Sequence, residues 1–145
     1  MSNVLNTFKQ AGSGNDNEFI VGGVIKTGAG QNLKKTYITV ELADISSTLT
    51  AYVASPVAGT ITNIQIIIDG PIIAADALIT SGISAVNITG GSVNISNVGS
   101  AAGIVYSAAP TALNAVSVGS NINFTSDGAS LNTVKATISI EITLS

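Results

Sequence analysis

The chain has 145 residues, enough for one domain, and 46% of them are hydrophobic. Charged residues make up only 9%, against about 25% in an ordinary soluble domain, and the net charge is −3. Arg, His, Cys and Trp are all missing, which excludes disulfides, thiolate or imidazole catalysis, Cys- or His-based metal sites and bidentate guanidinium readout of phosphates or bases.

The few charges are unevenly placed. Residues 1–35 hold Lys9, Lys26, Lys34 and Lys35 against Asp16 and Glu18, or 4 − 2 = +2. Residues 36–145 hold Lys135 against Glu41, Asp44, Asp69, Asp76, Asp127 and Glu141, or 1 − 6 = −5. An acidic body argues against an electrostatic nucleic-acid binder. The shortage of surface charge suggests a surface covered by a partner, or a rigid extracellular or virion domain that tolerates neutrality.

The first residues, MSNVLNTFKQAGSGNDNE, are polar and aperiodic, so an extended arm with no signal peptide is expected. FIVGGVIK reads as a first strand with a glycine break, and GAGQNLKK as a loop. Residues 1–35 are therefore taken as an N-terminal arm, and 36–145 as the folded domain. No window offers the ~20 apolar residues of a membrane helix.

From Thr36 the two-residue period of a half-buried strand is clear. In TYITVELA, Ile38, Val40 and Leu42 share one face, opposite Tyr37, Thr39 and Glu41. TLTAYVAS is the next strand, and Pro56 ends it or forces it to an edge. Ile64, Ile66 and Ile68 then alternate with Asn63, Gln65 and Ile67 in a strand from about Thr60 to Asp69, stopped by the Asp69-Gly70 turn. ADALIT, ISAVNIT and SVNISNV are short strands, with Gly90-Gly91 predicting a hairpin between the last two. GSAAGIVYSAAPTALNAV predicts a long connection with one short strand, and NINFTSDGAS a strand and an Asp-Gly turn. In TVKATISIEITL, Val134, Ala136, Ile138, Ile140, Ile142 and Leu144 line one face. This pattern predicts an all-β protein, an antiparallel β-sandwich of jelly-roll type with an extended N-terminal arm.

Candidate chemistry is sparse. Asp69 and Asp127 are explained by their turns, and Glu41 and Glu141 by solvent-facing strand positions, so no catalytic pair is expected. The spacing of a calcium loop is absent, and the glycines of AGSGNDNE and KTGAGQ lack a phosphate-binding context. Asn87-Ile-Thr89, Asn94-Ile-Ser96 and Asn123-Phe-Thr125 match the glycosylation pattern but read as polar strand faces. No enzyme activity, cofactor or metal is expected.

The segments SPVAGTITNIQIIIDGPIIAADALIT, ITGGSVNISNVGSAAGIV, AAPTALNAVSVGSNINFTSDGAS and TVKATISIEI, between Ser55 and Ile142, resemble in order the small phage capsid decoration proteins, the cement or head-fibre-base family. The shared pattern is an apolar strand after a Pro-x-x-Gly turn, an Asp-Gly turn and a late G-x-x-I-x-x-x-S-D-G segment. Ile72 and Ile73 depart from it, standing where small polar residues are expected, and with nothing after residue 145 a short cement protein is expected rather than a full head fibre. The resemblance implies a structural virion protein on the outer capsid surface, usually a homotrimer, with the major capsid protein as partner and neither nucleic acid nor membrane. It makes Lys9, Lys26, Lys34 and Lys35 shell-contact candidates. Tyr37, Tyr52, Ile67, Ile72 and Ile73 become subunit-interface candidates. A tail, baseplate or head-fibre component is the first alternative, and a carbohydrate-binding β-sandwich module the second; exposed aromatic rings would serve the latter, and only six aromatic residues are present.

Overall fold

A computed structural model describes the backbone of 19–21 and 24–26 and the full chain from 35 to 145. The chain divides into two compact units, Met1–Lys34 and Lys35–Ser145. In the first, β1 (Phe19–Val21) pairs antiparallel with β2 (Val24–Lys26), so FIVGGVIK supplies two strands and its glycines fall between them. Lys9 and Lys34 lie outside the described residues, as does most of the predicted arm.

The second unit is all-β, a sandwich of two antiparallel sheets. Its strands are β3 (Lys35–Leu42), β4 (Thr50–Ala54), β5 (Gly59–Ile68), β6 (Ala77–Ile83), β7 (Val86–Asn87), β8 (Val93–Ile95), β9 (Val105–Ala108), β10 (Ala115–Val116), β11 (Asn121–Ser126) and β12 (Ala136–Leu144). The first sheet runs β3-β12-β5, with β9 and β10 sharing the far edge of β5. The second runs β4-β11-β6, with β7 and β8 sharing the far edge of β6. The chain crosses between sheets after β3, β4, β5, β8, β10 and β11. Among the described residues no helix is long and apolar enough to cross a membrane.

Alternation builds the core. Ile64, Ile66 and Ile68 of β5 face inward beside Ile138, Ile140 and Ile142 of β12, all fully buried. β-Branched side chains pack well on a pleated surface, so an isoleucine-rich sequence suits the two central strands. Among the described residues Phe124 is the one fully buried aromatic side chain, and its cross-strand partners are the small Ala51 and Ser81, which leave room for the ring.

In the strands from Lys35 onward strict alternation fails once. Glu141 pairs with Asn63 but Ile142 pairs with Ile61, so Thr62 is an extra residue, a β-bulge. The bulge turns Ile61 into the core, where unbroken alternation from Ile64 would have pointed it at solvent.

Two expectations are corrected. Gly90-Gly91 does not close a hairpin: β7 and β8 both pair with β6, at its two ends. The buried Ser81 hydroxyl donates to the Gly91 carbonyl at 2.8 Å, and a Cβ at Gly91 would collide with that hydroxyl and with Ile88. Gly91 is thus needed for close packing over β6, which leaves β7 and β8 side by side on one edge. The connection from 99 to 116 carries two short strands rather than one, because β9 and β10 each pair with a different stretch of β5.

Candidate interaction surface

Four loops, 43–49, 69–76, 96–104 and 127–135, gather at one end of the sandwich and bond to one another. Ile45 N–H donates to the Val134 carbonyl at 2.9 Å, and Leu131 N–H to the Ile73 carbonyl at 3.2 Å. The Ser100 hydroxyl accepts from Ile72 N–H at 3.0 Å, and the Asn132 amide donates to the Pro71 carbonyl at 2.9 Å. The buried Ser126 hydroxyl donates to the Ile45 carbonyl at 2.7 Å. Satisfying loop backbone groups internally makes this end one connected surface.

The aspartates of the domain all serve these loops. Asp44 accepts Ser46 N–H at 2.8 Å, Asp69 accepts Lys135 N–H at 2.8 Å, Asp76 accepts Asn97 N–H at 2.8 Å and Asp127 accepts Ala129 N–H at 3.1 Å. The Ser46 hydroxyl and then its N–H hold the Asp44 carboxyl below its ordinary range, and Asn97 N–H followed by the Asn94 amide does the same for Asp76. None of the four loops carries a lysine before Lys135, so this end is acidic. It is also rich in exposed apolar side chains: Val98 is 84% exposed, Leu131 72% and Ile73 49%. Apolar groups gathered on one surface mark an interaction site more often than singly scattered ones.

The outer face of the first sheet is different. Glu141 sits at its centre with its side chain only 14% exposed. The Tyr37 hydroxyl donates to it at 2.6 Å, the Thr62 hydroxyl at 2.7 Å, and the Lys35 ammonium at 2.9 Å. These three donors, Tyr37 foremost, then Lys35 and Thr62, lower the Glu141 carboxyl to about 2. The same bond raises the Lys35 and Tyr37 groups above their ordinary values. Lys135 pairs with Glu41 at 3.2 Å on the same face. Both ion pairs neutralise themselves, leaving a flat face of Thr39, Ser139, Gln65 and Ser107 between them.

Of the predicted contact residues, Tyr37, Tyr52, Ile67 and Ile73 are exposed. Tyr37 and Tyr52 lie on the outer faces of opposite sheets, and Ile67 pairs with Val105 and Thr137 near the loop end. Ile72 is corrected: at 1% exposure it is part of the core, because Ser100 binds its N–H and carbonyl and turns its side chain inward. Lys35 is engaged by Glu141, and Lys26 lies in β2 of the other unit.

Sequence reading missed two features. The bulge at Thr62, which aims a hydroxyl at Glu141, depends on a register set by the partner strand. The loop end joins Val98, Leu131 and Ile73 from three separate connections, and no local pattern links them. A scan of known family models finds none that matches the chain, and a search of curated proteins finds no relative.

Proposed function

We propose that this is a structural, adhesive protein of a phage particle, decorating and stabilising the outer surface of the capsid. One observation carries the reading. All six carboxylates beyond Lys35 are engaged in holding the frame: Glu41 by Lys135, Glu141 by three side chains, and four aspartates by loop N–H groups. The acidic groups serve rigidity, while the exposed side chains offer flat polar faces and an apolar end suited to contact. The resemblance between Ser55 and Ile142 supplies the partner class, the major capsid protein. The strand order β3-β12-β5-β9/β10 over β4-β11-β6-β7/β8 supports the jelly-roll reading, since its sheet crossings are those of two wound Greek keys.

Shell attachment is assigned to residues 1–34, whose Lys9, Lys26 and Lys34 would pair with acidic shell groups. Lys35 belongs to β3 of the folded domain, where Glu141 binds it on an exposed face. Quantifying the chain against the major shell protein in gradient-purified virions, by mass spectrometry, tests the proposal. One chain per one or few shell subunits is expected. A ratio of a few per cent would indicate a tail or vertex component, and absence from particles would overturn the virion reading.

A further inference from the structure

The four sheet edges are not equivalent. On one side of the sandwich they are broken, into β7 and β8 of 2 and 3 residues and β9 and β10 of 4 and 2. On the other side β4 is 5 residues long, but β3 runs for 8. β3 pairs with β12 at every position from Lys35–Thr143 to Leu42–Ala136, without a bulge. Among the described residues its other edge has no partner. It carries no proline, no bulge and no inward-facing charge, three of the devices that keep an edge from pairing, and its two charges, Lys35 and Glu41, are of opposite sign and face outward. Its inward side chains Ile38 and Val40 are only partly buried, although the matching Ile138 and Ile140 of β12 are fully covered.

The β3 sequence is complementary to itself. In an antiparallel pairing centred on Ile38, Lys35 stands opposite Glu41 of the second copy, Thr36 opposite Val40, and Tyr37 opposite Thr39. Inward side chains meet inward ones, and outward meet outward. The two-fold axis repeats the Lys35–Glu41 match. Within one chain Lys35 already binds Glu141 at 2.9 Å, and Lys135 binds Glu41 at 3.2 Å. Pairing would join them in a row of alternating sign: Glu141, Lys35, Glu41 of the second copy, Lys135 of the second copy. Opposite charges directly across a sheet stabilise it and fix register.

We propose that two copies associate through β3, edge to edge and antiparallel, with Lys35 of each facing Glu41 of the other, so that the two first sheets become one. The occupant of the free edge is a second copy of this chain. The contact is independent of the capsid reading and is measurable in the isolated protein. It is also distinct from the three-fold assembly that the resemblance implies, because an antiparallel edge pairing joins copies two by two.

The chain has no cysteine, so a single introduced one reports its own neighbour. Opposed Cα atoms in an antiparallel pair lie roughly 4.5 to 5.5 Å apart, within disulfide reach. The test combines native mass spectrometry of the full-length protein with oxidation of Ile38→Cys, Thr39→Cys and Tyr52→Cys variants. The expected result is a wild-type dimer and covalent dimers through Ile38→Cys, with Tyr52→Cys, on the outer face of the other sheet, left uncrosslinked. Glu41→Lys sets lysine against Lys35 and removes the Lys135 pair, and is expected to abolish the dimer while the circular dichroism spectrum of the all-β domain is kept. A monomeric wild type overturns the proposal. An assembly in which Ile38→Cys stays uncrosslinked overturns it too, and preferential cross-linking through Thr39→Cys overturns the register.

Discussion

Glu141 is the residue whose environment departs most from that expected of an exposed strand position. The alternation of TISIEITL places it outward, and outward it is, yet Tyr37, Lys35 and Thr62 close over it. Their bonds favour the charged form, lowering its pKa from 4.5 to about 2. A carboxylate depressed in the folded state contributes stability above its unfolded value, and that contribution fades as pH falls from 4.5 towards 2. Glu141→Gln should therefore be less stable than wild type at pH 7 in urea unfolding, with the gap closing at pH 2; a gap independent of pH would contradict this. Gly59 makes a steric case. A Cβ there would collide with the Thr143 carbonyl oxygen and lie 2.9 Å from Ile142 Cγ2, so Gly59→Ala should cost about 1–3 kcal/mol. Gly99, at φ +78° with nothing within 4 Å, meets only the left-handed backbone penalty, and Gly99→Ala should cost about 1–2 kcal/mol. Equal stability of Gly59→Ala and wild type would show that the β5–β12 approach is looser than described.

Elements were legible where one face was buried along the whole strand. The alternation from Val134 to Ile142 was readable because every second side chain of β12 meets the core, and Asp127-Gly128 was readable because Gly128 takes φ +71° at its turn. The short strands read in ISAVNIT and SVNISNV contain β7 and β8, whereas β10, with 2 residues, carries too few alternations to show a period. The Gly90-Gly91 signal was genuine chemistry with another cause: close packing against Ser81 and Ile88 requires Gly91, as a hairpin turn would require glycine. Ile72 and Ile73 make the same point within one loop: the Ser100 hydroxyl binds the Ile72 backbone and Leu131 N–H binds the Ile73 carbonyl, contacts from other loops that no local pattern shows. The difference is measurable. Ile72→Ala should cost about 2–5 kcal/mol, as truncation of a buried isoleucine does, while Ile73→Ala should stay within about 0.5 kcal/mol. Chemical denaturation of the two variants checks this, and similar losses would contradict the assigned directions.

At the scale of the molecule, the two ends of the sandwich differ in chemistry. Lys35 enters at the end remote from the four joined loops, since it pairs with Thr143 while Leu42 pairs with Ala136. The sequence showed a basic front and an acidic body, but not that all four aspartates of the body collect at one end. That gathering depends on which connections the topology brings together. The charge-poor composition takes on a physical sense here: the two ion pairs neutralise the outer face of the first sheet and leave little charge there for a partner to desolvate, and uncompensated charge is costly to cover. On the proposed function, attachment falls to residues 1–34 and their lysines. Adding purified protein to capsids stripped of it tests this account most directly, with bound copies counted and the capsid opening temperature recorded for wild type and for a Lys9→Gln, Lys26→Gln, Lys34→Gln triple variant. The account predicts that wild type rebinds and raises the opening temperature, and that the triple variant unfolds at the wild-type temperature but binds less at low salt, the difference shrinking as salt screens the wild-type contacts. Failure of the wild-type chain to bind, or equal binding by the triple variant at low salt, would contradict it.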